Sequence, residues 1–271
     1  MSSSPRISVV VATRDRPVLL RRALASVALQ HYPNVEVCIA NDGGDVIEPI
    51  VRSCGVDARL IELPTSVGVP AARNAALAMA TGEFVAYLDD DDVFLPRHLD
   101  HSYRELTSTG ADACVSPVWC RHTGGLTLDF RYPHDPEFLL VTNAHPPIAI
   151  LHRLGAERVL FDEELTVMED WDLQQRLRYH DGMRFVTKPS VSAIYDRTAA
   201  PASSMERRPA VTFLADYRRI TTKWLPWVGS ERVLDFQRQV VGWYQRQISD
   251  NSRLDYEEFL AELWCSFHGE S

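Results

Sequence analysis

Short β-branched apolar runs alternate with segments of helical periodicity between residues 7 and 88. The segment 70–80, PAARNAALAMA, is the clearest helix, because a proline suits the first helical turn and Gly82 follows the segment. Strand, helix and strand in this order are typical of βαβ units around a mostly parallel sheet. The sequence therefore predicts an α/β fold with helices flanking a central sheet. The predicted strands of this part cover residues 7–13, 35–42, 59–64 and 84–88.

The rest of the chain is less regular and then becomes helical. A strand is predicted at 113–119, a helix at 168–180 and a strand at 183–188, whereas 121–147 is rich in loop-forming residues. After about residue 200 the β signals stop, and 212–266 has an amphipathic helical pattern. A chain of 271 residues has room for one large core and a small addition. The predicted organisation is an α/β domain at 1–204, with halves at about 1–95 and 96–204, and a C-terminal helical extension at 205–271.

Composition excludes several classes of protein. The 28 basic and 37 acidic residues give a net charge of −9 without a long Lys/Arg run, which argues against a nucleic-acid partner. The five cysteines form no CxxC pair, so neither a disulfide framework nor a zinc ribbon is expected. No apolar segment resembles a signal peptide or approaches the ~20 residues of a membrane span. We therefore expect a cytoplasmic protein with no transmembrane segment.

Four consecutive aspartates, Asp89 to Asp92, follow the predicted strand 84–88. Adjacent carboxylates repel one another unless a cation neutralises their charge. Mg²⁺ and Mn²⁺ prefer such oxygen ligands, and proteins usually hold them with one or two carboxylates plus the phosphates of a substrate. The run therefore predicts a divalent metal site together with a diphosphate ligand.

Alternation of side chains along an extended segment predicts that Asp89 and Asp91 face one way and that Asp90 and Asp92 face the other. For Asp92 the alternative is that it caps a helix beginning near Pro96. For the whole run the alternative is a solvated loop. The position after a sheet strand, where open α/β folds bind their ligands, favours a binding site over a solvated loop.

The chain resembles the family 2 glycosyltransferases of the GT-A fold over roughly residues 7–204. Four segments in the same order carry the resemblance: SVVVATRDRPVLLRRALASV followed by Gln30, VEVCIANDGGD, VGVPAARNAALAMATGEFVAYLDDDDVFLP, and FDEELTVMEDWDLQQRL. The resemblance implies an inverting, metal-dependent enzyme that moves a sugar from a nucleotide diphosphate donor to an acceptor hydroxyl. It also implies a role in polysaccharide or glycoconjugate synthesis.

The resemblance assigns residues to the nucleotide. Thr13, Arg14 and Asp15 are expected to hold the base and ribose, and Asp42 is expected to accept from the pyrimidine ring N–H. A carboxylate can do so only for a base with such a donor, which favours uridine or thymidine over cytidine. The alternative is that Asp42 is a turn residue before Gly43.

The resemblance also assigns the acids and one arginine. Arg73 matches the family's arginine near the nucleotide, with a helix-surface ion pair as the alternative. In the DXD metal motif Asp89 is expected to contact the ribose and Asp91 to ligate the metal, while Asp90 shares either role. The metal, Mn²⁺ or Mg²⁺, is expected to act as a Lewis acid on the leaving nucleotide diphosphate.

Glu169 and Asp170 match the family's acidic pair at the start of a helix. Asp170 is expected to be the general base, with Glu169 in a supporting role. A base that removes the acceptor's proton, while the acceptor oxygen attacks opposite the leaving group, inverts the anomeric centre. The alternative is that both acids simply favour a helix N-terminus. Trp171 is expected either to stack on a sugar or to lie in the core.

The sequence departs from the family pattern after the predicted strand that ends near Tyr195. Relatives often have a metal-ligating histidine there, whereas this chain has YDRTAAPASS. Arg197, as a contact of the diphosphate, and His152 are the candidates to replace it. A third protein ligand for the metal stays unassigned.

Two other classes of enzyme need motifs that the chain lacks. A sugar nucleotidyltransferase needs a glycine-rich phosphate loop with lysine after the first strand, and a dehydrogenase needs GxGxxG there, but the chain has ATRDRP. A catalytically silent sugar- or nucleotide-binding module on the same fold is the remaining alternative. The expected partners are a nucleotide-sugar donor and a saccharide, glycolipid or other hydroxyl acceptor. Four tryptophans of the helical extension are expected in the core or at a subunit, acceptor or peripheral membrane contact, namely Trp224, Trp227, Trp243 and Trp264.

Overall fold

The structure is a computed structural model that describes residues 4–155, 159–198, 208–250 and 256–269. The predicted boundary between residues 204 and 205 lies outside these ranges. Strands and helices alternate through the first part of the chain, as predicted. These elements are β1 (Ile7–Thr13), α1 (Pro17–Ala28), β2 (Val35–Asn41), α2 (Glu48–Ser53), β3 (Ala58–Glu62), α3 (Val69–Ala78) and β4 (Phe84–Tyr87).

The middle of the chain contains more strand than the sequence indicates. Residues 113–119 form two strands in different sheets and not one, because Pro117 between them has no N–H to donate to a central ladder. The elements are β5 (Val93–Phe94), α4 (His98–Thr109), β6 (Ala113–Val115), β7 (Val118–His122), β8 (Gly125–Phe130), α5 (Pro136–Leu139), β9 (Ile150–Arg153), α6 (Glu169–Gln175), β10 (Phe185–Thr187) and β11 (Ala193–Asp196). The predicted helix at 168–180 corresponds to α6 and a π-helical turn, Arg176–His180, that continues it.

The main sheet has seven strands in the order β10, β6, β9, β4, β1, β2, β3. All of its pairings are parallel except the two made by β9. Since β4, β1 and β2 are neighbours and run the same way, the residues that follow them meet at one edge of the sheet. The predicted mostly parallel α/β sheet is confirmed.

Helices cover both faces of this sheet. Alternate residues of β1 point to opposite faces, so Val9 packs in the core that contains Leu24 of α1, whereas Val10 packs in the core that contains Ala76 of α3. All four side chains are buried. Because consecutive residues of β1 are apolar, both faces of the strand can be buried, and helices cover the sheet on both sides.

A smaller sheet of four strands, in the order β5, β11, β7, β8, lies beyond the acidic run. Asp92 joins this sheet to the run, because its buried carboxylate accepts a hydrogen bond of 2.8 Å from the backbone N–H of Asp196. The helix after the run begins at His98 and has no side-chain cap. The alternative role of Asp92 as a helix cap is therefore wrong.

The C-terminal part is helical, as predicted, and its described residues form α7 (Ala210–Trp224), α8 (Glu231–Asp250) and α9 (Tyr256–His268). Their apolar side chains belong to the same buried cluster as those of β1 and α1. Trp224, Trp243 and Trp264 lie in this core, whereas Trp227 is 43% exposed. In the described part of the chain, no helix combines the length and apolar character that crossing a bilayer requires.

Asp172 of α6 ties the main domain to α7. Its side chain is fully buried and accepts from the Trp224 indole N–H at 2.7 Å and from the Lys223 ammonium at 2.8 Å. Lys223 also contacts Asp162 at 2.9 Å, and that carboxylate is partly exposed. Lys223 therefore has one buried partner, Asp172, and one partly exposed partner, Asp162.

We expect Asp172→Ala to lower the free energy of unfolding by about 3 kcal/mol, because it leaves the buried Trp224 indole N–H without its acceptor and removes a buried charge that pairs with Lys223. Asp162→Ala is the matched control and is expected to cost less than about 1 kcal/mol, since a solvated ion pair contributes little. Urea unfolding of both variants measures the difference. Equal losses would show that Asp172 is not the link between α6 and α7.

Candidate active site

A cavity of about 880 Å³ opens at the carboxyl ends of β4, β1 and β2. Of the predicted site residues, Asp15 is outside the cavity wall; its backbone has a φ of 54°, and its carboxylate accepts from the backbone N–H of Asp45 at 3.1 Å. The prediction that Asp15 holds the base or ribose is therefore not supported by its position. The other predicted residues all line the cavity: Thr13, Arg14, Asp42, Arg73, Asp89, Asp90, Asp91, Glu169 and Asp170.

The acidic run is a turn and not an extended segment. β4 ends at Tyr87, and the backbone N–H of Asp92 donates to the carbonyl of Asp89 at 3.1 Å. The predicted alternation of the four side chains is therefore wrong. Asp90 and Asp91 face the same cation, since one guanidinium nitrogen of Arg16 lies 3.0 Å from Asp90 and 2.9 Å from Asp91.

The turn concentrates negative charge at the cavity wall. Burial, followed by repulsion from Asp89 and Asp90, raises the pKa of Asp91 to about 7. Burial also raises the pKa of Asp90, although a hydrogen bond of 2.7 Å from the Thr13 hydroxyl opposes that rise. Sequence reasoning missed Arg16, which is one of two arginines in the loop after β1. Arg16 offsets only part of the repulsion among the three carboxylates of Asp89, Asp90 and Asp91, and a second cation at this wall would offset more of it.

The oxygen atoms at this wall fit a divalent metal ion whose remaining ligands come from the phosphates of a substrate. Within the described ranges, no three His, Cys, Asp or Glu side chains form a group that could hold a metal by itself. Mg²⁺ or Mn²⁺ on a diphosphate needs only one or two protein carboxylates, and Asp89 and Asp91 offer hard oxygens at the cavity wall. His152 is not a ligand, because it is buried in the sheet with its ring 2.8 Å from the Tyr87 hydroxyl. Arg197, the other candidate, does line the cavity.

Arg73 joins the two acidic clusters. It lies on α3, its side chain is almost fully buried, and its guanidinium is 2.5 Å from Asp89 and 2.5 Å from Glu169. Burial lowers the pKa of Arg73, but the two carboxylates raise it by more, so the side chain stays charged. Arg73 does form ion pairs, as the alternative expected. These pairs are buried at the cavity and do not lie on the helix surface.

Asp42 anchors the loop before α3. Its carboxylate accepts from the Ser66 hydroxyl at 2.7 Å and from the backbone N–H groups of Val67 and Gly68 at 2.6 and 3.2 Å. At the next position, Gly43 has a φ of 72°, and a Cβ there would lie 2.4 Å from the backbone nitrogen of Ser66. Asp42 is thus more than a turn residue, because it orders a loop that forms part of the cavity wall.

Asp170 lies at the first turn of α6. One carboxylate oxygen accepts from the backbone N–H of Trp171 at 2.9 Å, and the other accepts from the side-chain amide of Asn143 at 2.8 Å. Burial and then repulsion from Glu169 raise the pKa of Asp170 to about 7. A carboxyl group with this pKa is suited to proton transfer near neutral pH. Asn143 was not found from the sequence, because it lies in a loop without periodic pattern.

Trp171 belongs to the core and not to a sugar site. Its indole is fully buried, donates to the carbonyl of Leu139 at 2.6 Å and stacks on Tyr217 with ring centroids 5.3 Å apart. The role in sugar stacking is therefore wrong. The indole instead fixes the position of α6 relative to α7.

The C-terminal helices form the outer wall of the cavity. An amphipathic pattern does not show which helix face meets a site, so these residues were also missed by sequence reasoning. Val211 and Ile248 present exposed apolar side chains at this wall. The lining residues of α7, α8 and α9 are Ala210, Val211, Phe213, Tyr244, Gln247, Ile248 and Tyr256.

Comparison with known proteins tests the family that the sequence resembles. Residues 8–153, more than half of the chain, match the family model described as glycosyl transferase family 2. YwdF of Bacillus subtilis strain 168, an uncharacterized glycosyltransferase, is 30% identical over 199 residues, which are 70% of this chain and 74% of YwdF.

Two solved structures share the fold. TarS 1–349 of S. aureus in complex with UDP-GlcNAc superimposes with a TM-score of 0.70 at 19% identity. The aligned residues are 90% of this chain and 73% of the TarS chain. The mannosyltransferase PcManGT from Pyrobaculum calidifontis, in complex with GDP-Man and Mn²⁺, has a TM-score of 0.60 at 16% identity, with coverages of 96% and 80%. The family match and the shared architecture lead to one conclusion: the chain belongs to glycosyl transferase family 2 and is a glycosyltransferase of the GT-A fold.

Proposed function

We propose that this glycosyltransferase moves a sugar from a uridine or thymidine diphosphate donor to a hydroxyl of a saccharide or glycolipid, with inversion and with Mn²⁺ or Mg²⁺. One observation carries the proposal. The acidic turn of Asp89 to Asp91 and the pair Glu169 and Asp170 face one cavity and are joined by Arg73. The acidic turn is suited to binding the donor diphosphate with its metal ion, and the pair is suited to removing a proton from the acceptor hydroxyl. The reaction serves polysaccharide or glycoconjugate synthesis.

On the donor side, Asp91 holds the metal ion and Asp89 contacts the ribose. The bound ion supplies positive charge that stabilises the leaving nucleotide diphosphate. Thr13, Arg14 and Asp42 line the part of the cavity nearest the carboxyl ends of β1 and β2, where the base and ribose bind. A metal is supported by PcManGT, which was solved with Mn²⁺, and a uridine donor by TarS, which was solved with UDP-GlcNAc.

On the acceptor side, Asp170 removes the proton of the attacking hydroxyl. Its two fixed hydrogen bonds orient the carboxylate, and its raised pKa makes it a stronger base than an ordinary aspartate once ionised. Glu169 is held by Arg73 and keeps that arginine beside the donor site. The acceptor enters along the wall that α7, α8 and α9 form, and attack from this side, opposite the leaving diphosphate, inverts the anomeric centre.

Nucleotide binding tests the donor side. With Mn²⁺ present, UDP or dTDP at about 100 times its Kd is expected to raise the Tm by roughly 5–10 °C, because a ligand that binds only the folded state stabilises it. EDTA is expected to remove most of that shift. A thermal-shift assay measures both, with GDP as the matched control. Equal shifts with GDP, or full shifts in EDTA, would contradict the proposed donor or the proposed metal.

Nucleotide release from the matching sugar nucleotides then separates an enzyme from a silent binding module. We expect release of UDP or dTDP that depends on Mn²⁺ or Mg²⁺ and increases when a saccharide acceptor is supplied. Binding without release, for every donor in a panel of UDP- and dTDP-sugars, would favour the silent module.

A further inference from the structure

We propose that Tyr256 of α9, acting through Asn143, is a positioning residue for Asp170, which makes the C-terminal helices part of the catalytic unit. The inference rests on the proposed role of Asp170 as the base. It goes beyond that role because it gives the appended helices a defined task in the reaction. The contacts that carry it run from α9 to a loop and from the loop to α6.

The side-chain amide of Asn143 is held in one orientation. Its oxygen accepts from the side-chain amide of Gln174 at 3.0 Å and from the backbone N–H of His145 at 3.2 Å. Because two donors face that oxygen, the amide nitrogen must face the other way, where it donates to Asp170 at 2.8 Å. A flipped amide would place an oxygen against the carboxylate and leave two donors without an acceptor.

Tyr256 holds the backbone of the same loop. Its hydroxyl donates to the carbonyl of Asn143 at 2.8 Å and lies 2.6 Å from the hydroxyl of Thr142, which donates to it. The tyrosine ring packs edge to face on Trp243 of α8, with centroids 6.3 Å apart. Between α5, which ends at Leu139, and the 3₁₀ turn that begins at Pro147, the backbone belongs to no helix or strand. The position of Asn143 therefore depends on bonds such as this one.

These contacts fix the direction of the Asp170 carboxylate. One oxygen is held by the Trp171 N–H and the other by Asn143, so the lone pairs left for the acceptor have one orientation. Small displacements of a catalytic group cost large factors in rate, since the reaction needs a near-attack geometry. Loss of the Tyr256 hydroxyl frees the loop and lets the Asn143 amide move.

The same contact also influences the charge of the base. Two charged groups face Asp170: Glu169 on its own helix raises its pKa and Arg73 of α3 lowers it, while the Asn143 donor lowers it further. The Tyr256 hydroxyl from α9 is neutral, because burial raises its pKa. A loosened Asn143 is therefore expected to raise the pKa of Asp170 and to move the acid limb of kcat to higher pH.

Tyr256→Phe tests the inference against a matched control, Tyr217→Phe. The Tyr217 hydroxyl, on α7, donates to the carbonyl of Val141 at 2.7 Å, so both variants remove a tyrosine hydroxyl that donates from a C-terminal helix to a backbone carbonyl of the same loop. Only Tyr256 contacts Asn143 among these two tyrosines. The assay uses the UDP-sugar that the parent enzyme consumes fastest with Mn²⁺. We expect kcat to fall about tenfold in Tyr256→Phe, with KM for the donor within about twofold and the acid limb at higher pH.

Tyr217→Phe is expected to leave kcat and its pH profile near the parent values, while both variants lose about 2–4 °C in Tm. Equal kcat values for the two variants would overturn the inference, because a merely structural bond affects stability alone. If Tyr256→Phe does not fold, Thr142→Val is the second variant. It removes the hydroxyl that donates to Tyr256, and it must also lower kcat.

Combination with Asp170→Asn separates this inference from the proposed function. In the Asp170→Asn background, Tyr256→Phe is expected to cause no further loss of kcat, because there is no base left to position. Losses that multiply would overturn the positioning role and leave the base assignment intact. An Asp170→Asn enzyme that works at close to the parent rate would instead overturn the proposed function, whatever Tyr256→Phe does.

Discussion

Asp170→Asn is expected to lower kcat by roughly 10²–10⁴ while UDP binding in the presence of Mn²⁺ stays near the parent value. Asparagine keeps the size of the side chain and an oxygen that can accept from Asn143, but it cannot take a proton from the acceptor. Steady-state nucleotide release gives kcat, and calorimetric titration with UDP gives the affinity.

Asp172→Asn is the matched control for this substitution. Asp172 lies on the same helix and is fully buried, but it contacts Lys223 and Trp224 of α7. We expect it to lower stability and to leave kcat near the parent value. If Asp170 only favours the helix N-terminus, Asp170→Asn would cost about 1 kcal/mol of stability with kcat nearly unchanged.

The base assignment also fixes the sign of the pH dependence. Since burial and Glu169 raise the pKa of Asp170 to about 7, the proton-accepting carboxylate exists mainly above that pH. The kcat of the parent enzyme is therefore expected to fall as the pH drops below about 7, roughly tenfold per pH unit well below the pKa. Asp170→Asn is expected to lose this limb from its residual activity.

Asp91→Ala is expected to weaken Mn²⁺-dependent UDP binding by about 100-fold, because it removes the carboxylate that would hold the metal ion. Turnover at a fixed donor concentration falls with it. Calorimetric titration with UDP, with Mn²⁺ and then with EDTA, provides the measurement and its own control. In EDTA the parent and the variant are expected to bind UDP equally weakly. A parent-like affinity of Asp91→Ala in Mn²⁺ would remove Asp91 from the metal site.

Local periodicity predicted most of the fold. Apolar β-branched runs and proline-led helices formed where their patterns placed them, including β1 at Ile7–Thr13 and α3 at Val69–Ala78. The parallel strands bring Thr13, Asp42 and Asp89 to one sheet edge, because each lies at or just after the end of a neighbouring strand.

Features that depend on chain reversal or on distant contacts were not predictable in this way. The alternation rule failed at Asp90 and Asp91 because the strand stops at Tyr87 and the chain turns. The prediction of one strand at 113–119 was also wrong, because at Pro117 the chain passes from one sheet to the other. The contact between Tyr256 and Asn143 joins residues 113 positions apart, and no local pattern encodes such a pair.

The proposed function divides the work of one cavity between two carboxylate clusters, the acidic turn for the donor and Asp170 for the proton. The most direct test is a side-by-side calorimetric titration of UDP with Mn²⁺ into the parent, Asp91→Ala and Asp170→Asn, with kcat measured on the same preparations. We expect Asp91→Ala to lose both binding and turnover and Asp170→Asn to lose turnover alone. Loss of UDP binding in both variants, or parent-like turnover of Asp170→Asn, would contradict the claim.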